Sequence, residues 1–130
     1  MREFLLLMIG GCFLGCKKSD PISPGLFGKW ELRRQTGGIA GIDSSYNSGN
    51  GNIIQFNSDS TFKHYVKGKL DLQGIFHYKK NGYVLGQAVY DELDFNDSGF
   101  PIAVTVNGDK MIMGLNVDDG MTAQYQKIAN

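Results

Sequence analysis

Between Asn52 and Lys127 the chain runs as short stretches in which apolar and polar side chains alternate, and nearly every stretch ends in a turn-forming pair or triplet. Alternation of period two puts every second side chain on one face of a strand. A turn of two or three residues then brings the next strand back antiparallel beside it. Each turn therefore sets a register that facing residues can check. Ser58-Asp59-Ser60 sets Phe56 opposite Phe62 and Ile54 opposite His64, and Lys67-Gly68-Lys69 sets Val66 opposite Leu70 and His64 opposite Leu72. Asn81-Gly82, whose residues both accept the positive φ of a type I′ turn, pairs Tyr78 with Leu85 and Phe76 with Gln87. Asn107-Gly108 places Val104 against Met111 and Ile102 against Met113, and Asp118-Asp119-Gly120 places Leu115 opposite Ala123 and Met113 opposite Tyr125.

Adding an alternating run from Lys29 to Gln35 gives strands near Trp30, Ile54, Phe62, Leu72, Leu85, Val104, Met113 and Tyr125. About eight strands, each joined to its neighbour, predict an all-β fold: an up-and-down antiparallel β-barrel. The eighteen glycines against three prolines suit many tight turns and would serve long helices poorly. Tyr90 to Phe100 either extends the fifth strand or forms a bulged loop. Thr36 to Gly51, rich in Gly, Ser and Asn, is too long for an ordinary hairpin and is expected to act as a lid over one end. Its glycines lack the following Lys-Ser or Lys-Thr of a phosphate loop.

The first residues address a compartment. Arg2 is followed by an apolar run from Phe4 to Gly15 that is shorter than the roughly 20 residues of a membrane span. A positive start, an apolar core and small residues before a cysteine make a secretory signal. Phe13-Leu14-Gly15-Cys16 resembles the box of a bacterial lipoprotein, in which the cysteine becomes the mature amino terminus and carries acyl chains such as palmitate. Cys12 is the rival cleavage point, but it leaves an apolar core of about five residues where about 7 to 15 are usual. The expected division is a signal peptide over 1–15, a tether over 16–25 and one barrel domain over 26–130. Lys17 supplies no aspartate after Cys16, which by analogy favours the outer membrane of the cell envelope over the inner.

With the strands laid out, Gly28-Lys29-Trp30 opens the first, Gly37-Gly38-Ile39-Ala40-Gly41 follows it, the Phe56 to Phe62 hairpin comes next and Tyr125-Gln126-Lys127 closes the chain. On these residues, from about Leu26 to Ile128, the chain resembles the lipocalin-like domains of bacterial envelope lipoproteins. The resemblance implies a tryptophan packed across the closed end of the barrel beneath a basic side chain, places that Trp30 and Lys127 fill. The Thr-Asp-Tyr motif of classical lipocalins is absent.

Thirteen basic and thirteen acidic side chains cancel, so there is no basic excess of the kind nucleic-acid binding needs. Both cysteines, Cys12 and Cys16, lie in the leader, which leaves the domain without a thiol for a disulfide, a nucleophile or a metal. The register sets His64 and His77 on opposite faces, so no shared ion and no cofactor is expected. Asp118 and Asp119 read as turn residues, since the spaced ligand set of a calcium loop is missing. No Gly-x-Ser-x-Gly elbow is present and no base faces a serine, so no catalytic residue and no enzymatic activity is expected.

Membrane attachment through acylated Cys16 and a small apolar or amphipathic ligand inside the barrel are the expected function. The inward set, Trp30, Phe56, Phe62, His64, Leu72, Phe76, Tyr78, Gln87, Met113 and Tyr125, forms the candidate lining. His64 and Gln87 read equally as polar anchors or as core residues satisfied by a neighbour. Met111, Met113 and Met121 read as barrel core or as an adaptable pocket wall. An eight-stranded barrel is only just wide enough for its own side chains. A packed module that recognises a protein or glycan through its loops is therefore the alternative.

Overall fold

The computed structural model describes residues 25–114 and 120–130. Its elements are β1 (Gly28–Gly37), β2 (Ile42–Ser45), β3 (Ile53–Phe56), β4 (Thr61–Val66), β5 (Lys69–Leu85), β6 (Ala88–Phe95), β7 (Ile102–Asn107), β8 (Lys110–Met113) and β9 (Met121–Ala129). All neighbours pair antiparallel, and the pairing of β1 with β9 closes β1 and β3–β9 into an eight-stranded barrel. Closure removes the free edges that an open sheet would expose.

β1 is long enough to serve three partners. Its first half, Gly28 to Glu31, pairs with β3, while Arg34 to Gly37 pairs with β2 on the same edge. The Thr36 to Gly51 segment is thus a strand laid along β1, and among the described residues none from 37–51 lines either mouth recess described below. Two donors reach across from this segment: Gly49 N–H bonds the buried Glu31 carboxylate at 2.9 Å, and Asn50 Nδ2 bonds Leu32 O at 2.7 Å.

The registers test the turn reading residue by residue. Phe56 faces Phe62, Ile54 faces His64 and His64 faces Leu72, as expected. Val66 faces Lys69, because Lys67 (φ 50°) and Gly68 (φ 83°) form a two-residue turn and a bulge after His64 absorbs the difference. Asn81-Gly82 does not turn the chain. β5 runs straight through it with a register shift between Lys79 and Tyr83, and the reversal comes at Gly86-Gln87, where Leu85 faces Ala88. A positive φ serves a bulge as well as a turn, and Asn81 (φ 56°) uses it there, donating its N–H to Asp91 Oδ1 at 2.9 Å. Tyr78 therefore faces Leu93, Phe76 faces Phe95, and Gln87 sits exposed in the turn. The expectation that Gln87 lines the interior is overturned.

The last two hairpins slip by two residues each, in opposite senses. Gly108-Asp109 is the turn between β7 and β8, so Val104 faces Met113 and Val106 faces Met111. Met111 then faces Tyr125 and Met113 faces Ala123. Even slips keep the inward parity. For that reason the core survives them: Trp30, Ile54, Phe56, Phe62, Phe76, Leu93, Val104 and Met111 are buried, and Leu26 joins them. Phe56 meets Phe76 edge-on at 5.0 Å and Phe95 stacked at 6.1 Å, while Phe62 meets Phe95 edge-on at 4.7 Å. This aromatic layer fills the middle of the barrel at separations typical of favourable ring pairs.

Candidate functional site

The packed layer divides the interior into two recesses, one at each mouth. At the Gly25 end gather the start of β1, the 57–60 turn, the 108–109 turn and the end of β9; at the Gly68 end gather the 67–68 turn, the 96–101 loop and Gly120.

The Gly25 end is closed by the chain itself. Leu26 folds into the core and accepts a hydrogen bond from Trp30 Nε1 at 2.8 Å. Lys127, 2% exposed, lies with Nζ 5.4 Å from the centre of the Trp30 ring and 3.2 Å from Gly25 O. An ammonium over an indole face is attracted by the ring quadrupole. Burial pushes the Lys127 pKa down, against the pull of these partners.

Beside this plug lies the larger recess, about 780 Å³, with Leu26, Phe27, Phe76 and Val106 as apolar wall and Tyr78, Lys80 and Asp91 among its polar groups. The Tyr78 hydroxyl bonds the Asp91 carboxylate, whose other oxygen takes the Asn81 N–H at 2.9 Å. The Tyr78 bond holds Asp91 below the usual carboxylate range, with the Asn81 N–H and the nearby Lys80 charge adding to it. Burial, followed by the Asp91 bond, pushes Tyr78 up to about 12. The recess thus holds a carboxylate engaged by two donors, a phenol pushed well above its usual range and the side chain of Lys80.

The recess at the Gly68 end is a cup of about 230 Å³ lined by Ile54, Phe62, His64, Leu72, Phe95, Met113 and Tyr125. It is almost wholly apolar. His64 stands half-buried with Nδ1 3.2 Å from Asp71 Oδ2, so its polar edge turns to a surface carboxylate. Burial pushes the Tyr125 phenol up to about 12.

The candidate lining therefore divides in three. Phe62, His64, Leu72, Met113 and Tyr125 meet in the cup; Phe76 and Tyr78 reach the larger recess; Trp30 and Phe56 are packed core. Met111 is core as well, and Met121 is exposed. Lys80 and Asp91 were not legible as site residues, because the Asn81-Gly82 turn signal misplaced the strand opposite Tyr78, and Leu26, Phe27 and Val106 join them only through the way the chain folds back at this mouth. His77 pairs with Asp97 at 2.6 Å and His64 with Asp71, so the two histidines serve separate carboxylates. Cys16, Leu115, Asp118 and Asp119 lie outside the described residues.

The raised Tyr125 pKa has a measurable consequence. Between pH 10 and 12 the unfolded chain releases this proton while the folded chain keeps it, so the folded state binds more protons and stability falls as pH rises. Tyr78 acts in the same direction, and Lys127, with its lowered pKa, acts oppositely at lower pH. Denaturant titrations at pH 10 and 12 are expected to show a loss in wild type that Tyr125→Phe reduces by about 2 kcal/mol; an equal loss in both would remove Tyr125 as its source.

No family model matches the chain, and neither a curated protein nor a solved structure shows significant similarity to it.

Proposed function

We propose that this is a lipid-anchored protein of the bacterial cell envelope, held in the outer membrane through acylated Cys16, whose barrel binds a small amphipathic ligand at the Gly25 end. The observation that carries the reading is the composition of the 780 Å³ recess: apolar walls beside a polar group of Lys80 and Asp91, in which both oxygens of Asp91 are bonded by Tyr78 and Asn81 and the Lys80 side chain is left to reach a ligand as well. Its volume lies within the roughly 300–1,000 Å³ of small-molecule sites, whereas the cup at the other mouth falls below that range. Phe27, 53% exposed in the wall, offers apolar area that only an occupant would cover. An apolar body against Phe27 and Val106 with an anionic head toward Lys80 satisfies both features.

The filled aromatic layer favours a second reading, a packed module that recognises a protein or glycan at its surface. Calorimetry of the full chain with decanoate separates the two. Decanoate is expected to bind, and Phe27→Ser and Lys80→Glu are each expected to weaken it about tenfold, a change of about 1.4 kcal/mol. Absence of binding, or equal binding by wild type and both variants, favours the packed module.

A further inference from the structure

Beyond residue 76 β5 has no partner in β4, and beyond Asp91, the last β6 residue that pairs with β7, the end of the β5–β6 hairpin has no strand on either edge. Thr61 faces Ile75 and Phe76 N–H bonds Ser60 O at the 57–60 turn, so β4 offers no partner to residues 77–85. At the usual rise per residue this free end of the arm, residues 83–90, is roughly 10 Å long. Its tip is apolar on both faces: Val84 faces Val89 and Leu85 faces Ala88, with Val84 63%, Val89 51% and Leu85 48% exposed. One step back Tyr83 faces Tyr90, and behind them stand the exposed Lys79 and Lys80. Tyr83 and Tyr90 are half-buried, but the aliphatic tip leaves most of its surface to water.

The arm projects from the Gly25 end, the end from which the chain leads back to Cys16. Gly25 follows Cys16 by nine residue steps. Fully extended they span at most about 30 Å. An anchor at Cys16 therefore keeps this mouth within about 30 Å of the bilayer. The order along the arm, aliphatic tip, tyrosine pair, then a band of mixed charge in which Lys79 faces Glu92 and Lys80 lies near Asp91, follows the order of a membrane surface from acyl chains through the interface to charged headgroups.

We infer that the Val84–Val89 tip of the β5–β6 hairpin inserts into the lipid surface to which the chain is anchored, docking the barrel with its larger recess facing the bilayer. The inference rests on the anchor proposed above. Its test uses the full chain in vesicles of phosphatidylethanolamine and phosphatidylglycerol, with tryptophan introduced as Val84→Trp or Val89→Trp, and Ile39→Trp, beside the 67–68 mouth, as the control. Wild type supplies the background of buried Trp30. Lipids brominated along the acyl chain are expected to quench the emission added at 84 or 89 at least twofold and to leave that added at 39 unchanged. Chains that float with the vesicles but show no quenching at 84 and 89 overturn the insertion and leave the anchor standing. Chains that fail to float overturn both. Quenching replaced by concentration-dependent dimerisation through the arm overturns insertion in favour of a second copy of the chain.

Discussion

Trp30→Ala is expected to cost about 3–5 kcal/mol, the range for deleting a large aromatic from a packed core. The indole is fully buried, its Nε1 satisfies Leu26 O, and its face carries the Lys127 ammonium. The substitution opens a void and removes a partner from two buried polar groups at once. Urea denaturation gives the magnitude. Limited proteolysis adds a local readout, since Leu26 and Phe27 lose the bond that pins them and cleavage near Phe27 should quicken. A cost below about 1 kcal/mol would mean that the plug does not hold this end closed.

Gly28→Ala is expected to cost about 2–4 kcal/mol although it adds a single methyl group. Gly28 has φ 130°, and a Cβ built there lies 2.5 Å from Ala129 O and 2.7 Å from Lys127 Cε. The carbonyl belongs to β9 where Ala129 faces Lys29, so it cannot withdraw without loosening the seam of the barrel. Gly86→Ala is the control: its φ of 61° imposes the same kind of strain, but open space surrounds it, and about 1 kcal/mol is expected. Equal costs at both positions would assign the whole effect to φ and none to the approach of β9. The pair gives Gly28-Lys29-Trp30 a physical reason: the glycine admits the lysine stem that the tryptophan then holds.

The barrel was legible because it depends on parity. His64 faces Ile54 and Leu72 in the structure as in the sequence reading, and the slips in the β7–β8 and β8–β9 registers move partners by two residues without turning a side chain outward. What parity cannot resolve is how an αL-tolerant pair is spent. Asn81-Gly82 has the composition of a hairpin turn, yet cross-strand pairing of Tyr83 with Tyr90 and Val84 with Val89 is better satisfied by turning at Gly86-Gln87. That single misreading displaced Gln87 into the expected interior and hid the Tyr78, Lys80 and Asp91 group. β2 was illegible for another reason: Ile42 to Ser45 carries no alternation because it decorates β1 and buries little.

The seam between β1 and β9 bears on the time course of folding. The wall contacts from β3 to β9 join neighbours in sequence and can form as soon as each hairpin exists, and β1 meets β3 across the 38–52 segment, whereas Lys29 must wait for Ala129, the residue it faces across the seam. Such long-range closure is slow, because the entropy of a loop nearly as long as the domain is lost before the contact repays it. A chain that emerges amino terminus first therefore carries β1 as an open edge until its last strand arrives. Trp30 and Lys127 form the latch of that final step, so variants of either should slow closure as well as speed opening.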